Sequence, residues 1–181
     1  MKKTILFSAI LLGLLVVLQS HTQVYAQPYG TGIYNVDVPY GSQTSLSIST
    51  SGNVSIPITP TTSGTLATGT NNVTVTSTDV SGFKLYVRAL SNTNMTNLGA
   101  TLPASLNSSP APLSINTWGY NIDATSNFSG LTLTDTLLKS LTVPAKSGNV
   151  TTVTYGILLD LAKPAGNYNV TVIYTAVPQT T

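Results

Sequence analysis

Phe83-Lys84-Leu85-Tyr86-Val87-Arg88-Ala89 alternates without a break: Phe83, Leu85, Val87 and Ala89 fall on one side, Lys84, Tyr86 and Arg88 on the other. A side-chain period of two marks a strand with one face in a core and the other toward water, whereas a helix would scatter the same residues around its circumference. The pattern recurs in both directions. Val54, Ile56 and Ile58 alternate with Ser55 and Pro57, and Val73 and Val75 with Asn72, Thr74 and Thr76. Further on, Val153, Tyr155, Ile157, Leu159 and Leu161 share a face, as do Tyr168, Val170, Val172, Tyr174 and Ala176. Residues 33–38, 46–49, 117–122 and 131–136 carry weaker versions of the same signature.

Turn formers separate these segments: Pro39-Tyr40-Gly41, Ser51-Gly52-Asn53, Ser63-Gly64, Ser81-Gly82, Ser129-Gly130, Ser147-Gly148-Asn149 and Pro164-Ala165-Gly166. Proline presets φ and glycine takes positive φ without steric cost, so the chain reverses there. Short strands punctuated in this way, with no helical period, predict an all-β fold. We expect a single antiparallel β-sandwich, Ig-like or jelly-roll-like, over residues 27–181. Residues 163–166 read as the turn of a hairpin joining the last two strands. Residues 91–116, with Pro103, Pro110 and Pro112 and no alternation, are either a functional connection or a crossover hiding a strand. Residues 59–70, rich in Thr, Ser and Gly, read as a plain loop.

The chain has 181 residues, of which only 7% are charged, against about 25% in an average soluble protein. Ser, Thr and Asn supply the polarity instead. Lys2 and Lys3, an apolar run from Ile5 to Leu18, a polar stretch and Val24-Tyr25-Ala26 have the layout of a secretory signal peptide over residues 1–26. The run is shorter than the roughly 20 residues that span a bilayer, so cleavage rather than anchoring is expected. No later stretch is apolar enough to cross a membrane. Residues 27–181 hold Lys84, Arg88, Lys139, Lys146 and Lys163 against Asp37, Asp79, Asp123, Asp135 and Asp160, and are therefore neutral. They contain no Glu, His or Cys.

This composition excludes several classes. Nucleic-acid binding needs clustered Lys and Arg to displace counterions, and a coiled coil needs far more Ala, Glu, Lys, Leu and Arg. The β-branched and aromatic content is too high for a disordered chain. Without cysteine there is no lipid anchor and no disulfide. A domain of about 150 residues can still bury close to 70% of its unfolded surface.

Catalysis is not expected. Lacking His and Cys, residues 27–181 cannot form a Ser-His-Asp or Cys-His arrangement or a zinc site of those ligands. The five aspartates are scattered, and Ser140 beside Lys139 is uninformative where serine is so common. We expect no catalytic residue, no cofactor and no metal: no D-x-[DN]-x-[DN]-G calcium spacing occurs, and Asp79, Ser81 and loop asparagines offer at most weak cation contacts.

Contact residues are a different matter. Trp118, the only tryptophan, and Tyr120 share a face within Asn116-Thr117-Trp118-Gly119-Tyr120. They suit stacking on a sugar ring or anchoring a partner, and equally a place at the centre of a core. Tyr29, Tyr34 and Tyr40 suit either a first strand or a segment that adds to a neighbour's sheet edge. Seven N-x-[ST] sequons stand at Asn53, Asn72, Asn94, Asn107, Asn127, Asn149 and Asn169, relevant where the host glycosylates exported proteins. A Lys–Asn cross-link would need a buried acid beside it, a role left to Asp alone.

The C-terminal stretch from Tyr155 to Ala176, with Pro164-Ala165-Gly166, Tyr168 and the closing Val170-Thr171-Val172-Ile173-Tyr174-Thr175-Ala176, resembles the end of exported bacterial cell-surface β-sandwiches of the WxL-like or fimbrial-subunit type. Trp118-Gly119-Tyr120 fits the same group. No Trp-x-Leu motif is present, so that motif's wall binding does not carry over. No sorting signal of LPxTG type occurs before the final Val177-Pro178-Gln179-Thr180-Thr181, so covalent wall attachment is not expected. The resemblance implies an extracellular, non-catalytic protein. The expected function is a secreted or surface-associated structural or adhesion protein, self-associating or bound to a cell-surface or cell-wall partner. The alternative is a carbohydrate- or wall-binding module using exposed aromatics.

Overall fold

The structure, a computed structural model, describes residues 45–78 and 80–179. The expected signal peptide, the strand at 33–38, the tyrosines at 29, 34 and 40, and Asp79 lie outside them. Nine strands and no helix occur among the described residues, and no helix there is long and apolar enough to cross a membrane. The strands are β1 (Ser45–Thr50), β2 (Thr65–Thr78), β3 (Gly82–Ala89), β4 (Met95–Asn97), β5 (Ala100–Leu102), β6 (Thr117–Asn121), β7 (Thr136–Leu141), β8 (Asn149–Leu159) and β9 (Val172–Gln179). They form a four-stranded sheet in the order β1-β2-β8-β6, a three-stranded sheet in the order β7-β3-β9, and a β4-β5 pair. All strand pairs are antiparallel.

Alternation places the core. Phe83, Leu85, Val87 and Ala89 of β3 are buried and belong to one hydrophobic cluster with Val73 and Val75 of β2, Trp118 and Tyr120 of β6, and Val153, Tyr155, Ile157 and Leu159 of β8. Both larger sheets thus contribute to the same apolar cluster. Val172, Tyr174 and Ala176 of β9 pack against it, half-buried. A polar link joins the sheets inside: the Tyr155 and Tyr174 hydroxyls lie 2.6 Å apart. Between β3 and β7 the register shifts at Leu85/Tyr86, and Leu138 of β7, the residue without a partner there, is buried. This is the effect of a bulge, which re-aims a side chain at the cost of local pairing.

The last two strands are not a hairpin. β8 is flanked by β2 on one side and β6 on the other, so both of its hydrogen-bonding edges are occupied. β9 pairs with β3 in the other sheet instead, and residues 163–166 belong to a crossover. Three other expectations shift as well. Val54, Ile56 and Ile58 pack on the core but residues 51–60 form no strand. The 59–70 segment is strand from Thr65 onward. Strand β7 begins at Thr136, where the 131–136 segment ends. The long 91–116 connection holds the β4-β5 pair, so it is a crossover with structure of its own.

A second buried layer lies outside the four-stranded sheet. Trp118 and Tyr120 of β6 point to the core, so Gly119 between them points outward, and it pairs directly with Gly156 of β8. The two glycines leave a notch, and the fully buried Phe128 ring fills it. A Cβ on Gly156 would stand 2.4 Å from Phe128 Cζ, and one on Gly119 2.5 Å from the Ser129 carbonyl oxygen. Backbone bonds hold the cover to the free side of β6. Ser105 N–H donates to Trp118 O at 2.7 Å, and Tyr120 and Ser129 exchange N–H···O bonds of 2.9 and 2.8 Å. The Asn107 side chain braces it, with Nδ2 3.0 to 3.1 Å from the carbonyls of Ala111, Pro112 and Phe128.

Candidate functional site

The two aromatic residues singled out by the sequence are brought together, but inside. Trp118 has no accessible surface and Tyr120 is 6% exposed. The indole packs tilted against Tyr155, ring centroids 6.3 Å apart, and its Nε1–H donates to the Thr93 carbonyl at 3.0 Å. Neither ring presents an open face on which a sugar could stack.

An open cleft of about 320 Å³ lies above Trp118 and Tyr155. Its rim is formed by Asn53 and Val54 on one side and by Tyr168, Asn169 and Val170 on the other, with Asn71 and Tyr155 also lining it. The lining contains no charged side chain. Asn71 is locked in place, its Nδ2 donating to the Gly52 carbonyl at 2.6 Å and its Oδ1 accepting from Ser51 Oγ at 3.4 Å. Val54 and Ile56 sit over Gly69, where a Cβ would approach them to 2.7 and 2.8 Å. The polar side chains that line the cleft include Asn53, Asn71, Tyr155, Tyr168 and Asn169, all uncharged amides or phenols. Trp118 forms a second layer behind them.

Electrostatics are sparse. Arg88 Nε lies 3.5 Å from Asp135 Oδ1 in a partly exposed ion pair, a class that contributes little. Asp160 Oδ1 accepts from Asn116 Nδ2 at 2.8 Å and from Ala162 N–H at 2.8 Å, and these bonds hold its carboxyl below the usual carboxylate range. Burial pushes the phenols of Tyr120, Tyr155 and Tyr174 up, and the Tyr174 hydroxyl adds to the shift at Tyr155.

A pH profile follows from these shifts. An unfolded tyrosine ionises near pH 10, while the folded phenols stay neutral, so above that pH ionisation lowers the free energy of the unfolded state and not that of the folded state. Stability is therefore expected to be flat from about pH 5 to 9, since residues 27–181 lack His and Glu, and to fall above pH 10. The slope is about 1.4 kcal/mol per pH unit from Tyr155 alone. Urea unfolding at a series of pH values checks it, and Tyr155→Phe should flatten the alkaline limb.

Outside, the face of β2 turned away from the core starts with the exposed Leu66 and continues as a row of neutral polar groups. Thr68, Thr70 and Asn72 are exposed and Thr74 and Thr76 half-buried. The register sets Ser49 beside Thr74 and Ser47 beside Thr76, and Thr152 Oγ1 donates to Asn72 Oδ1 at 2.8 Å. Of the sequon asparagines, Asn53, Asn72 and Asn169 are exposed, whereas the Asn107 amide is engaged by three carbonyls. Sequence reasoning passed over the Phe128 notch and the Asn53–Asn169 rim. The notch had a signal: Gly119 and Gly156 each interrupt an aromatic or β-branched run, and a lone glycine in a strand marks close approach of another group. The rim had none, because its two sides are 116 positions apart in sequence. No protein-family profile matches this chain, and no curated protein matches it either.

Proposed function

We propose that this is an exported, surface-associated, non-catalytic protein that acts structurally, in adhesion or as a subunit of a surface assembly. Its signal peptide is residues 1–26, and its two main sheets are the halves of a single β-sandwich over 27–181. The observation that carries this is the outer face of the four-stranded sheet, where β2 displays Thr68, Thr70, Asn72, Thr74 and Thr76 and no charge. Together with the neutral composition of residues 27–181, such a face lacks long-range repulsion and favours association with like surfaces. The resemblance of residues 155–176 to exported surface proteins supports the same location. Mass spectrometry of the protein recovered from its own cells tests it. A chain starting at Gln27 in the envelope or medium is the expected result, and an intact Met1 in the cytoplasm overturns it.

The uncharged cleft between Asn53 and Asn169 supports a second reading, a neutral-glycan binding module. Titration with wall fragments and common polysaccharides, followed through Trp118 emission, separates the two. A saturable change favours the module, and none favours the structural role.

A further inference from the structure

Strand β9 lies at the end of its sheet and, among the described residues, pairs with β3 alone. In an antiparallel ladder, successive residues turn their N–H and C=O groups to opposite edges of the strand. The phase is fixed where β9 is entered: Leu90 N–H donates to Thr171 O at 3.0 Å. Carried along the register, Ile173, Thr175 and Val177 therefore bond to β3. The backbone groups of Val172, Tyr174 and Ala176 point to the free edge. Pro178, next in that series, has no N–H to offer, and an edge is where a strand tolerates proline.

A bare edge is a template for another strand, and proteins guard such edges with charge, bulges or a covering segment. Two of the other sheet ends show these guards. β7 carries Lys139 and the register shift opposite Leu85/Tyr86, and β6 is covered through the backbone bonds of Ser105 and Ser129. β1 follows directly on residues outside the described range. β9 reads Val-Ile-Tyr-Thr-Ala-Val-Pro-Gln, with no charged residue and no register shift against β3. It is also held in place: the Tyr174 hydroxyl meets that of Tyr155, and Val172, Tyr174 and Ala176 pack on the core while staying half-buried.

We propose that β9 pairs edge to edge with β9 of a second copy, joining their three-stranded sheets into one continuous antiparallel sheet. This rests on the self-associating reading above and names its surface. The edge is complementary to itself. With Tyr174 opposite Tyr174 of the second copy, Val172 falls opposite Ala176, and each such pair exchanges N–H and C=O groups. On the outward face Ile173 then stands across from Thr175, an apolar and a hydroxyl side chain with no like charges to oppose. Residues 27–181 are neutral, so no net repulsion separates the copies. Pro178 ends the pairing because it cannot donate. A two-fold axis at Tyr174 makes the contact isologous, and it closes on the pair. Growth beyond a dimer therefore belongs to another surface, such as the outer face of β2.

Velocity sedimentation and amide hydrogen exchange over a dilution series, on the protein as its cells produce it, test this. A short edge pair is a small interface, so a dimer with Kd between about 1 µM and 1 mM is expected. The Val172, Tyr174 and Ala176 amides should exchange quickly in the dilute monomer and slow about tenfold as the dimer fills. Those of Ile173, Thr175 and Val177 should stay protected at every dilution. Thr175→Lys sets like charges diagonally across the pair and should weaken the dimer about fivefold or more. Ala176→Pro removes an edge donor while β3 keeps its own bonds, and should weaken it at least as much. Thr175 points away from the core, so its variant reads association even where Ala176→Pro unfolds. A monomer up to about 1 mM overturns the proposal. So do edge amides protected at every dilution, because the edge is then covered within one molecule, and a dimer of parental strength in both variants. A β9 dimer that grows no further upholds the edge pairing and contradicts the surface assembly; filaments that form unchanged in both variants do the reverse.

Discussion

Gly156→Ala should lose about 3–5 kcal/mol of stability, the loss typical of removing a buried phenylalanine from its site. The added Cβ would stand 2.4 to 2.8 Å from three carbons of the Phe128 ring, so the fully buried ring must leave the notch. Little else can give way: β8 is paired along both edges, with Gly119 of β6 directly beside Gly156. Phe128→Ala should cost a similar amount by emptying the same space. The two changes remove one interaction, so Gly156→Ala made in a Phe128→Ala background should cost less than about 1 kcal/mol further. Urea unfolding of the four proteins measures the cycle. Additive losses would mean that ring and glycines are not coupled. With total stability of about 5–15 kcal/mol expected for a domain, either single change leaves the fold close to its threshold.

Trp118→Ala should be comparably severe, about 3–5 kcal/mol, for a different reason. The indole joins the two sheets' shared cluster, lies against Tyr155 and ties the 91–116 connection down through its bond to Thr93. Trp118→Phe keeps most of the apolar contact but leaves the Thr93 carbonyl without its donor, so about 1–3 kcal/mol is expected. The same residue provides a spectroscopic check, being the only tryptophan. Its emission in the folded protein should be blue-shifted and protected from acrylamide, and both properties should vanish together with the unfolding transition.

The strands were legible where period-2 alternation coincides with β-branched and aromatic residues. Phe83 to Ala89 is the clearest case, and its four apolar members are all fully buried. Partnership between strands was less legible, because alternation reports which face is buried and carries no information about which strand lies alongside. That is why Pro164-Ala165-Gly166 looked like a hairpin turn, although β8 already had neighbours on both sides. Val54, Ile56 and Ile58 show the converse: their apolar face reaches the core while their backbone joins no ladder. Thr65 to Thr70 looked like a loop because Thr and Gly there face outward or lie beneath Val54 and Ile56, so the apolar half of the alternation is supplied by another segment. The candidate site was legible only as residue types. Trp118 and Tyr120 stood out, yet whether a conspicuous aromatic ends in a cleft or beneath one depends on the chain folded over it. Here residues 50–56 and 168–172 supply the cleft above the indole.

The physical picture is of a β fold that keeps Phe83, Trp118, Tyr120, Phe128 and Tyr155 inside and whose strand β2 turns hydroxyl and amide groups outward. The most direct test of the proposed structural role is the association state of residues 27–181 at rising concentration, read by velocity sedimentation and by electron microscopy of the same samples. Concentration-dependent growth into filaments or a lattice, little affected by salt because residues 27–181 are neutral, is the expected result. A single monomer boundary up to millimolar concentration, with no ordered assembly on the grids, would contradict it.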